Sequence, residues 1–529
     1  MLSSVTNLDK LALFELLSNR FKDEDKKLSQ IPNPSLLQDA TKSAKKIAQA
    51  IRENKHITLV GDYDVDGVSS TAIMVDFFRQ IPYPLEAIIP NRFKDGYGVS
   101  PTILERVDTD IIITVDNGIS AIEASKICKE RGIELIITDH HTPSEILPDA
   151  YAIVDPKLEN CPYPFKEICG AQVIWLLLGL VKKELQLNIN MKQYLDILAI
   201  AIIADIMPLI DINRTLVKEG LKLLMTSNRP SSIIIRDFLN KPSISSEDIG
   251  FMIAPRLNSA GRLEDASIAL DFFTAQDTDK AFKQFEILGN LNDLRKETEA
   301  DTTAKAMEMV DENDSIIVVA GEGWHEGVVG IVAARLVDKF GKPAIVLSVE
   351  NGIAKGSARS IGEVNIYELM KENENFLTKF GGHTMAAGLG LEEKNIKDFT
   401  KAINLSASKL DPKDFIPKEQ VTGILSTNNL DFKLLDLLEQ FEPYGEANIR
   451  PTFLFKDAEV VNIKYLGQEK SHSRIEIRQY PNDKKTIELI AFRRVFEMPN
   501  DGKITASYSV TKNVFNGRVS VQLLVAKIY

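Results

Sequence analysis

The chain has 529 residues, of which 44% are hydrophobic, 26% charged and 7% aromatic, and it carries a net charge of −12. That is ordinary globular composition, at a length that holds roughly three to four domains. Three cysteines, Cys128, Cys161 and Cys169, neither pair evenly nor show a CxxC spacing, which excludes a disulfide framework or a zinc knuckle.

The scarcity of cysteine fits a reducing compartment. The opening MLSSVTNLDKLALFELLSNRF lacks the basic region and cleavage site of a signal peptide. The apolar run Val173–Val181 falls short of the roughly 20 residues that span a bilayer. A soluble, cytoplasmic protein with no membrane contact is expected. The acidic balance would argue against a polyanionic partner only if it were evenly spread, because local patches decide binding. Carboxylates around metal ions also count as negative while their loaded site is effectively positive.

Residues 1–50 carry no motif and are taken as an N-terminal helical segment. Residues 51–225 form a first α/β domain. Its β-branched runs are His56–Val60, Leu85–Ile89, Asp110–Val115, Glu134–Thr138 and Ala152–Val154. Helix-like stretches such as Ser69–Arg79 and Ala121–Arg131 lie between them. Runs this continuous belong to strands buried on both faces, so an open parallel sheet is expected. From 171 the pattern turns helical, with three-to-four spacing through Tyr194–Ile206. Residues 226–312 read as a helical connector ending in a long helix striped by Phe282, Phe285, Leu288, Leu291 and Leu294. Residues 313–412 form a second, smaller α/β unit, with strands at Ser315–Ala320 and Ala344–Val349 and a helix at Gly327–Phe340. Residues 413–529 hold short alternating strands that suggest a small barrel or sandwich.

Chemistry concentrates just after the strands of the first domain. Gly61-Asp62-Tyr63-Asp64-Val65-Asp66-Gly67 follows its first run, Asp116-Asn117-Gly118 the third and Asp139-His140-His141 the fourth, and Asp205 ends a helix. Ligands of open α/β sheets bind outside the carboxyl ends of the strands, so the three strand-end groups should converge on one crevice. Carboxylates with imidazole suit Mg²⁺ or Mn²⁺, and the histidine favours Mn²⁺. Two such ions about 3.5–4 Å apart clamp the attacking and leaving oxygens of a phosphoryl displacement. Each piece alone reads equally well as a helix N-cap or a structural loop. A calcium loop counted from Asp62 would need glutamate at its twelfth position, where Ile73 stands.

DYDVDGV, VDNGIS, TDHHTP and ADIMPL, in that order, resemble the four motifs of the DHH phosphoesterase superfamily. PRLNSAGRL, GWHEGVVGIVAARL, KGSARS and FGGHTMAAGL resemble its RecJ exonuclease branch and the DHHA1-type domain, and EPYGEANIRPTF resembles the opening of the RecJ OB-fold. The resemblance runs from about residue 55 onward. It implies a parallel-sheet DHH domain, a DHHA1 domain and an OB-like barrel. It also implies a hydrolase that degrades single-stranded DNA 5′ to 3′ with two divalent ions, releasing 5′-mononucleotides in DNA repair and recombination. By similarity Asp64 and Asp66 bind different ions, Asp116 bridges both, and His140 and Asp205 complete the second site. His141 then touches the scissile phosphate or supports the first ion, so Asp116, His140 and His141 form the catalytic set. Asp62 and Asp139 orient these ligands or coordinate as well.

The DNA and a 5′-phosphate should meet Arg92 and Tyr97 after the second run, Ser357 and Arg359, and Gly382 with His383. His325, beside Trp324, and the trio Arg256, Asn258 and Arg262 join this set, although packing and an interdomain salt-bridge hinge explain them too. From Val461 to Tyr529 twelve Lys/Arg face six Asp/Glu, a local balance of +6. Arg474, Arg478, Arg493, Arg494 and Arg518 interleave there with aromatics, as OB-folds do to track single strands; basic strand residues are also commonly a solvated face. A single-strand-binding protein or a helicase is open as a protein partner. Two rivals remain: a phosphoesterase of short oligonucleotides or cyclic dinucleotides, and a nucleic-acid-binding scaffold with a dead nuclease fold.

Overall fold

The computed structural model describes residues 5–21, 26–417, 421–467, 470–480, 486–492, 494–515 and 518–529. Among the described residues, three large sheets organise it, one for each globular unit, beside a small two-stranded one.

The first sheet is wholly parallel and consists of β1 (Ile57–Val60), β2 (Glu86–Ile88), β3 (Ile111–Val115), β4 (Glu134–Thr138) and β5 (Ala152–Val154). Every residue of β1 and β3 is buried, which is why these runs show no polar alternation. The order across the sheet is β2-β1-β3-β4-β5. The chain therefore departs to one side after β1 and to the other after β3, and the carboxyl ends of β1 and β3 border the point where strand order reverses. Helix α1 (Val65–Arg79) and helix α2 (Gly170–Glu184) share one apolar core with the sheet and with the helices Leu195–Ala204 and Asp211–Leu224.

The connector ends in a 31-residue helix, Thr278–Glu308. Its expected stripe holds only in part: Phe285 and Leu288 are buried, while Phe282 and Leu294 are each 52% exposed. Positions three apart advance about 300° around an α-helix, so a run spaced by threes drifts off any single face. The far half of this helix leans on the second domain, where Glu299 takes Arg335 at 2.9 Å.

The second sheet comprises β6 (Ile317–Glu322), β7 (Ala344–Glu350), β8 (Ile353–Arg359), β9 (Leu377–His383) and β10 (Ala386–Glu392), ordered β9-β10-β8-β7-β6. Only β6 and β7 run parallel; the remainder is antiparallel. The third sheet closes into a barrel of β11 (Thr452–Leu466), β12 (His472–Arg478), β13 (Ile487–Ala491), β14 (Lys503–Phe515) and β15 (Arg518–Ile528), in the circular order β11-β12-β13-β15-β14.

The stretch expected as one N-terminal segment is divided between domains. Ala40–Arg52 is a helix whose buried face joins the first domain's core. Residues 5–21 belong to the barrel: Asn7–Leu8 pairs in parallel with Ile424–Leu425, and the helix Lys10–Asn19 buries Leu13 and Leu17 against Leu434, Leu438 and Phe453. Lys10 Nζ reaches Asp431 Oδ2 at 2.6 Å. Leucines four apart make a one-turn apolar ridge that has to be covered, and the barrel's core covers it.

Candidate metal centre and phosphate cleft

The turn after β1 is built from its own carboxylates. Asp62 Oδ1 accepts from the Tyr63 amide at 2.7 Å, and Asp64 caps α1 by accepting from the Gly67 amide at 3.0 Å. Asp66 sits in the first turn of α1 and points away to α2, where it accepts from the amides of Gly170 (2.6 Å) and Ala171 (3.0 Å). After β3 the backbone turns left-handed at Asp116, φ 65°. Asn117 holds it there, donating to the Val60 and Val115 carbonyls at 2.9 and 3.0 Å and accepting from the Val99 amide. After β4 come Asp139 and His140, and Asp205 caps the helix Leu195–Ala204.

These pieces meet in three overlapping groups, each able to hold an ion: Asp62 with Asp64 and Asp116; Asp66 with His140 and Asp205; and Asp116 with His140 and His141. His140 Nε2 lies 3.2 Å from Asp116 Oδ1, 3.6 Å from Asp205 Oδ2 and 3.7 Å from Asp66 Oδ2. Asp139 stands apart from all three groups. Its oxygens accept from the amides of Ile119, His140 and His141 and from His141 Nδ1 at 2.7 Å. A carboxylate so fully engaged orients the histidines.

Burial first, and mutual repulsion second, push the carboxyls of Asp62, Asp116 and Asp205 well above their usual range, and burial raises Asp66 as well. Burial depresses His140 to about 4, keeping its imidazole neutral. Burial also works against charge on His141, but the hydrogen bond and charge of Asp139 outweigh it and raise that imidazole to about 9. Asp116 Oδ1 and Asp205 Oδ2 are buried and have no hydrogen-bond partner among the described residues. Unpaired buried oxygens beside a neutral imidazole are what a divalent cation would satisfy, so the donor set fits such ions.

The loop after β2 brings aromatic and cationic groups over this nest. Arg92 lies over the Tyr63 ring at 4.4 Å, the Tyr97 ring meets Tyr63 and His141 edge-on, and Phe93 meets His325 of the second domain at 5.3 Å. Arg262 is depressed to about 10, by burial first and then by the charges of Arg92, Arg295 and Arg359. Several guanidiniums thus face one another at the domain boundary. Arg359 Nη1 donates to Ser357 Oγ at 2.7 Å. In register across the second sheet, Arg359 stands opposite Ala386 and then His383, and Ser357 opposite Gly388 and then Gly381. This leaves a floor of small residues beside an arginine. Gly382, at φ 145°, could take no side chain there.

Other expected contacts are placed differently. Asn258 Oδ1 accepts from the Val65 amide at 3.1 Å, so it braces the Asp64–Asp66 turn. Arg256 is held between the rings of Phe238 and Phe285 at 4.3 and 5.3 Å and packs on the long helix. On the barrel, Arg474 pairs with Glu488, Arg478 pairs with Glu459 at 2.7 Å, and Arg494 donates to the Ala526 carbonyl. Arg493 lies outside the described residues, as does the side chain of Arg518. Sequence reasoning missed Cys169-Gly170-Ala171, whose only signal is a glycine opening an apolar run, and Asn117, whose side chain mimics a strand.

Three family models match in succession: the DHH family N-terminal domain over residues 56–202, the DHHA1 domain over 313–409 and the RecJ OB domain over 421–527. The chain is 36% identical over 473 residues to the single-stranded-DNA-specific exonuclease RecJ of Bacillus subtilis, covering 87% of this chain and 59% of that longer protein. It is 32% identical over 564 residues to the protein of the same name from Haemophilus influenzae, covering 99% and 96%. The RecJ of Thermus thermophilus in complex with Mn²⁺ superposes with a TM-score of 0.81 at 26% identity, covering 99% of this chain and 79% of that one. A manganese-bound exonuclease RecJ gives 0.63 at 32% identity, over 71% and 96%. With its strand-end carboxylates, its two α/β domains and its barrel in the same order, the chain belongs to the RecJ family of single-stranded-DNA-specific exonucleases.

Proposed function

We propose that the protein hydrolyses single-stranded DNA from the 5′ end with two divalent ions, Mn²⁺ or Mg²⁺, releasing 5′-mononucleotides in DNA repair and recombination. The observation that carries this is the set of overlapping donor groups, in which Asp116 stands both with Asp62 and Asp64 and with His140 and His141 while His140 also meets Asp66 and Asp205, with buried unpaired oxygens on Asp116 and Asp205. Asp64 and Asp116, with Asp62 beside them, would hold one ion. Asp66, His140 and Asp205 would hold the other, with Asp116 shared. Bound there, the ions supply an activated water and neutralise charge on the leaving oxygen.

The chain's own groups do the remaining work. Asp139 fixes His141 through Nδ1 at 2.7 Å, which leaves the ring's Nε2 for a phosphate or an ion. Arg92, Arg262 and Arg359, with Ser357, offer forked donors for a terminal phosphate. Asn258 and Asn117 keep the two acidic turns in place. Tyr97 and His325, with Gly382 and His383, would line the path of the strand. The barrel adds affinity for the strand through exposed Tyr465 and Phe492, on which bases stack.

The same reading includes a partner that delivers the strand, a single-strand-binding protein or a helicase, and action in the cytoplasm. Among the described residues no helix is long and apolar enough to cross a membrane. A phosphoesterase of dinucleotides would have no use for a barrel, and a dead scaffold would not keep this acid nest. Digestion of end-labelled single strands, with Mn²⁺, Mg²⁺ or EDTA, tests the proposal. Mononucleotides appearing from the 5′ end only with an ion support it; endonucleolytic fragments, or turnover in EDTA, reject it.

A further inference from the structure

The start of α2 touches two of the acids at once. The Gly170 amide donates to Asp66 Oδ2 at 2.6 Å and the Ala171 amide to Asp66 Oδ1 at 3.0 Å. The Cys169 thiol lies beside the Asp66 carboxyl, and burial first and then that charge push the thiol up. On its other side, Gly170 presses against Asp116. A methyl placed on its α-carbon would lie 2.5 Å from Asp116 Oδ1 and 2.6 Å from Asp116 Cβ. All of these groups are buried.

Glycine at this place is not demanded by the backbone, which is not left-handed there. Glycine also loses more backbone entropy on ordering than alanine does. What excludes a side chain is Asp116. Amides of a first helical turn have no partner within their own helix, and here a carboxylate from α1 takes two of them at the positive end of the helix dipole. Each Asp66 oxygen is thereby aimed and keeps a second lone pair for other partners. Asp116 has no such anchor, since its Oδ1 is unpaired. It is located by contact with Gly170 and by the left-handed turn.

Resting on the metal assignment above, we infer that Cys169-Gly170-Ala171 is the positioning element of the metal centre: its donors aim Asp66, and the missing side chain at Gly170 sets the gap between Asp66 and Asp116. These residues touch neither substrate nor ion and act through the two acids.

Mn²⁺ titration of the metal-stripped full chain, followed by electron paramagnetic resonance, reads this directly. Wild type should show two tight sites. Gly170→Ala should bind Mn²⁺ at least tenfold more weakly, and kcat should fall tenfold or more while KM for DNA stays within twofold. Activity should partly recover at high Mn²⁺. Gly179→Ala, the same change on the same helix where a methyl meets nothing within 4 Å, should match wild type. A folded Gly170→Ala that binds two Mn²⁺ normally overturns the inference, as does an equal loss in Gly179→Ala. If Gly170→Ala does not fold, Cys169→Ala takes away the thiol packed beside the Asp66 carboxyl without adding bulk. It should weaken Mn²⁺ binding two- to fivefold, and unchanged affinity overturns the inference. Asp66→Asn separates the two layers. If it loses an ion while folded Gly170→Ala does not, the assignment stands and the positioning role falls; if it keeps both ions, both fall.

Discussion

At the edge of the first sheet, Asp62, Asp64, Asp66, Asp116 and Asp205 crowd together with no lysine or arginine paired to them among the described residues, whereas on the barrel Arg474 and Arg478 each face an acid on a neighbouring strand. The barrel's pairs are exposed and worth at most about 1 kcal/mol each; they favour the register of β11, β12 and β13. The acid nest is a standing cost to folding that a bound cation would remove. The surplus of basic residues in the tail is therefore a poor guide to where phosphates are gripped. Arg92, Arg262 and Arg359, which have no ion pair among the described residues, lie where the two α/β domains meet.

The sharpest way to break this contrast is Asp116→Ala. Cleavage should fall by about two orders of magnitude or more, while single-strand binding in EDTA stays close to wild type. Turnover above a few per cent in a gel-resolved time course would remove Asp116 from its shared position. Arg359→Ala or Arg262→Ala should come next, removing one charge-assisted fork worth about 1.5–3 kcal/mol. The preference for 5′-phosphorylated over 5′-hydroxyl ends should drop roughly tenfold in competition assays. Equal losses on both ends would make these arginines general backbone contacts.

Stability against pH gives a third, smaller effect. In metal-free protein the raised carboxyls and His141 both favour the protonated fold. Their stabilisation is present at low pH and lost as pH climbs, for His141 between 6.5 and about 9. His140, lowered to about 4, adds a small opposing slope only near pH 6.5, where its unfolded imidazole still titrates. The melting temperature of metal-free protein should fall from pH 6.5 to 9. Mn²⁺ should raise it more at pH 8.5 than at pH 6.5; a flat calorimetric profile would contradict the uncompensated nest. The smallest change is expected from Arg474→Ala with Arg478→Ala. Affinity for long single strands should shift less than about threefold, and the slope of log affinity against log salt should hardly move. A slope reduced by about 1.4, two single-strand phosphates at −0.7 each, would restore these arginines as DNA contacts.

The first sheet was legible because strands buried on both faces write continuous β-branched runs, and strand ends locate a ligand site without any side-chain detail. Asp64, Asp66, Asp116 and His140 could be grouped from that alone, whereas Asp205, at a helix end, joined them only through the family resemblance. Whether a cation is spent on a neighbour was not legible, since Arg256 and Arg262 share one helix and only tertiary packing sends the first to Phe238 and Phe285. Nor was the Gly170 contact, where the decisive feature is an absent atom. The division of residues 1–50 escaped as well, because a short amphipathic helix does not state which core will cover it.

That helix also sets an order of events. Lys10 and Asp431 are 421 residues apart. During synthesis Leu13 and Leu17 therefore wait, uncovered, while roughly 400 residues are added and the two α/β domains have time to fold between them. Of the three units the barrel is then the last to close, and its closure ties residues 5–21 to strands made roughly 400 residues later. An affinity tag placed ahead of residue 5 will hang from the barrel, not from the nuclease sheet. A fragment cut before Val421 to remove the barrel would leave Leu13 and Leu17 bare. Residues 5–21 have to go with it if the remaining domains are to stay soluble.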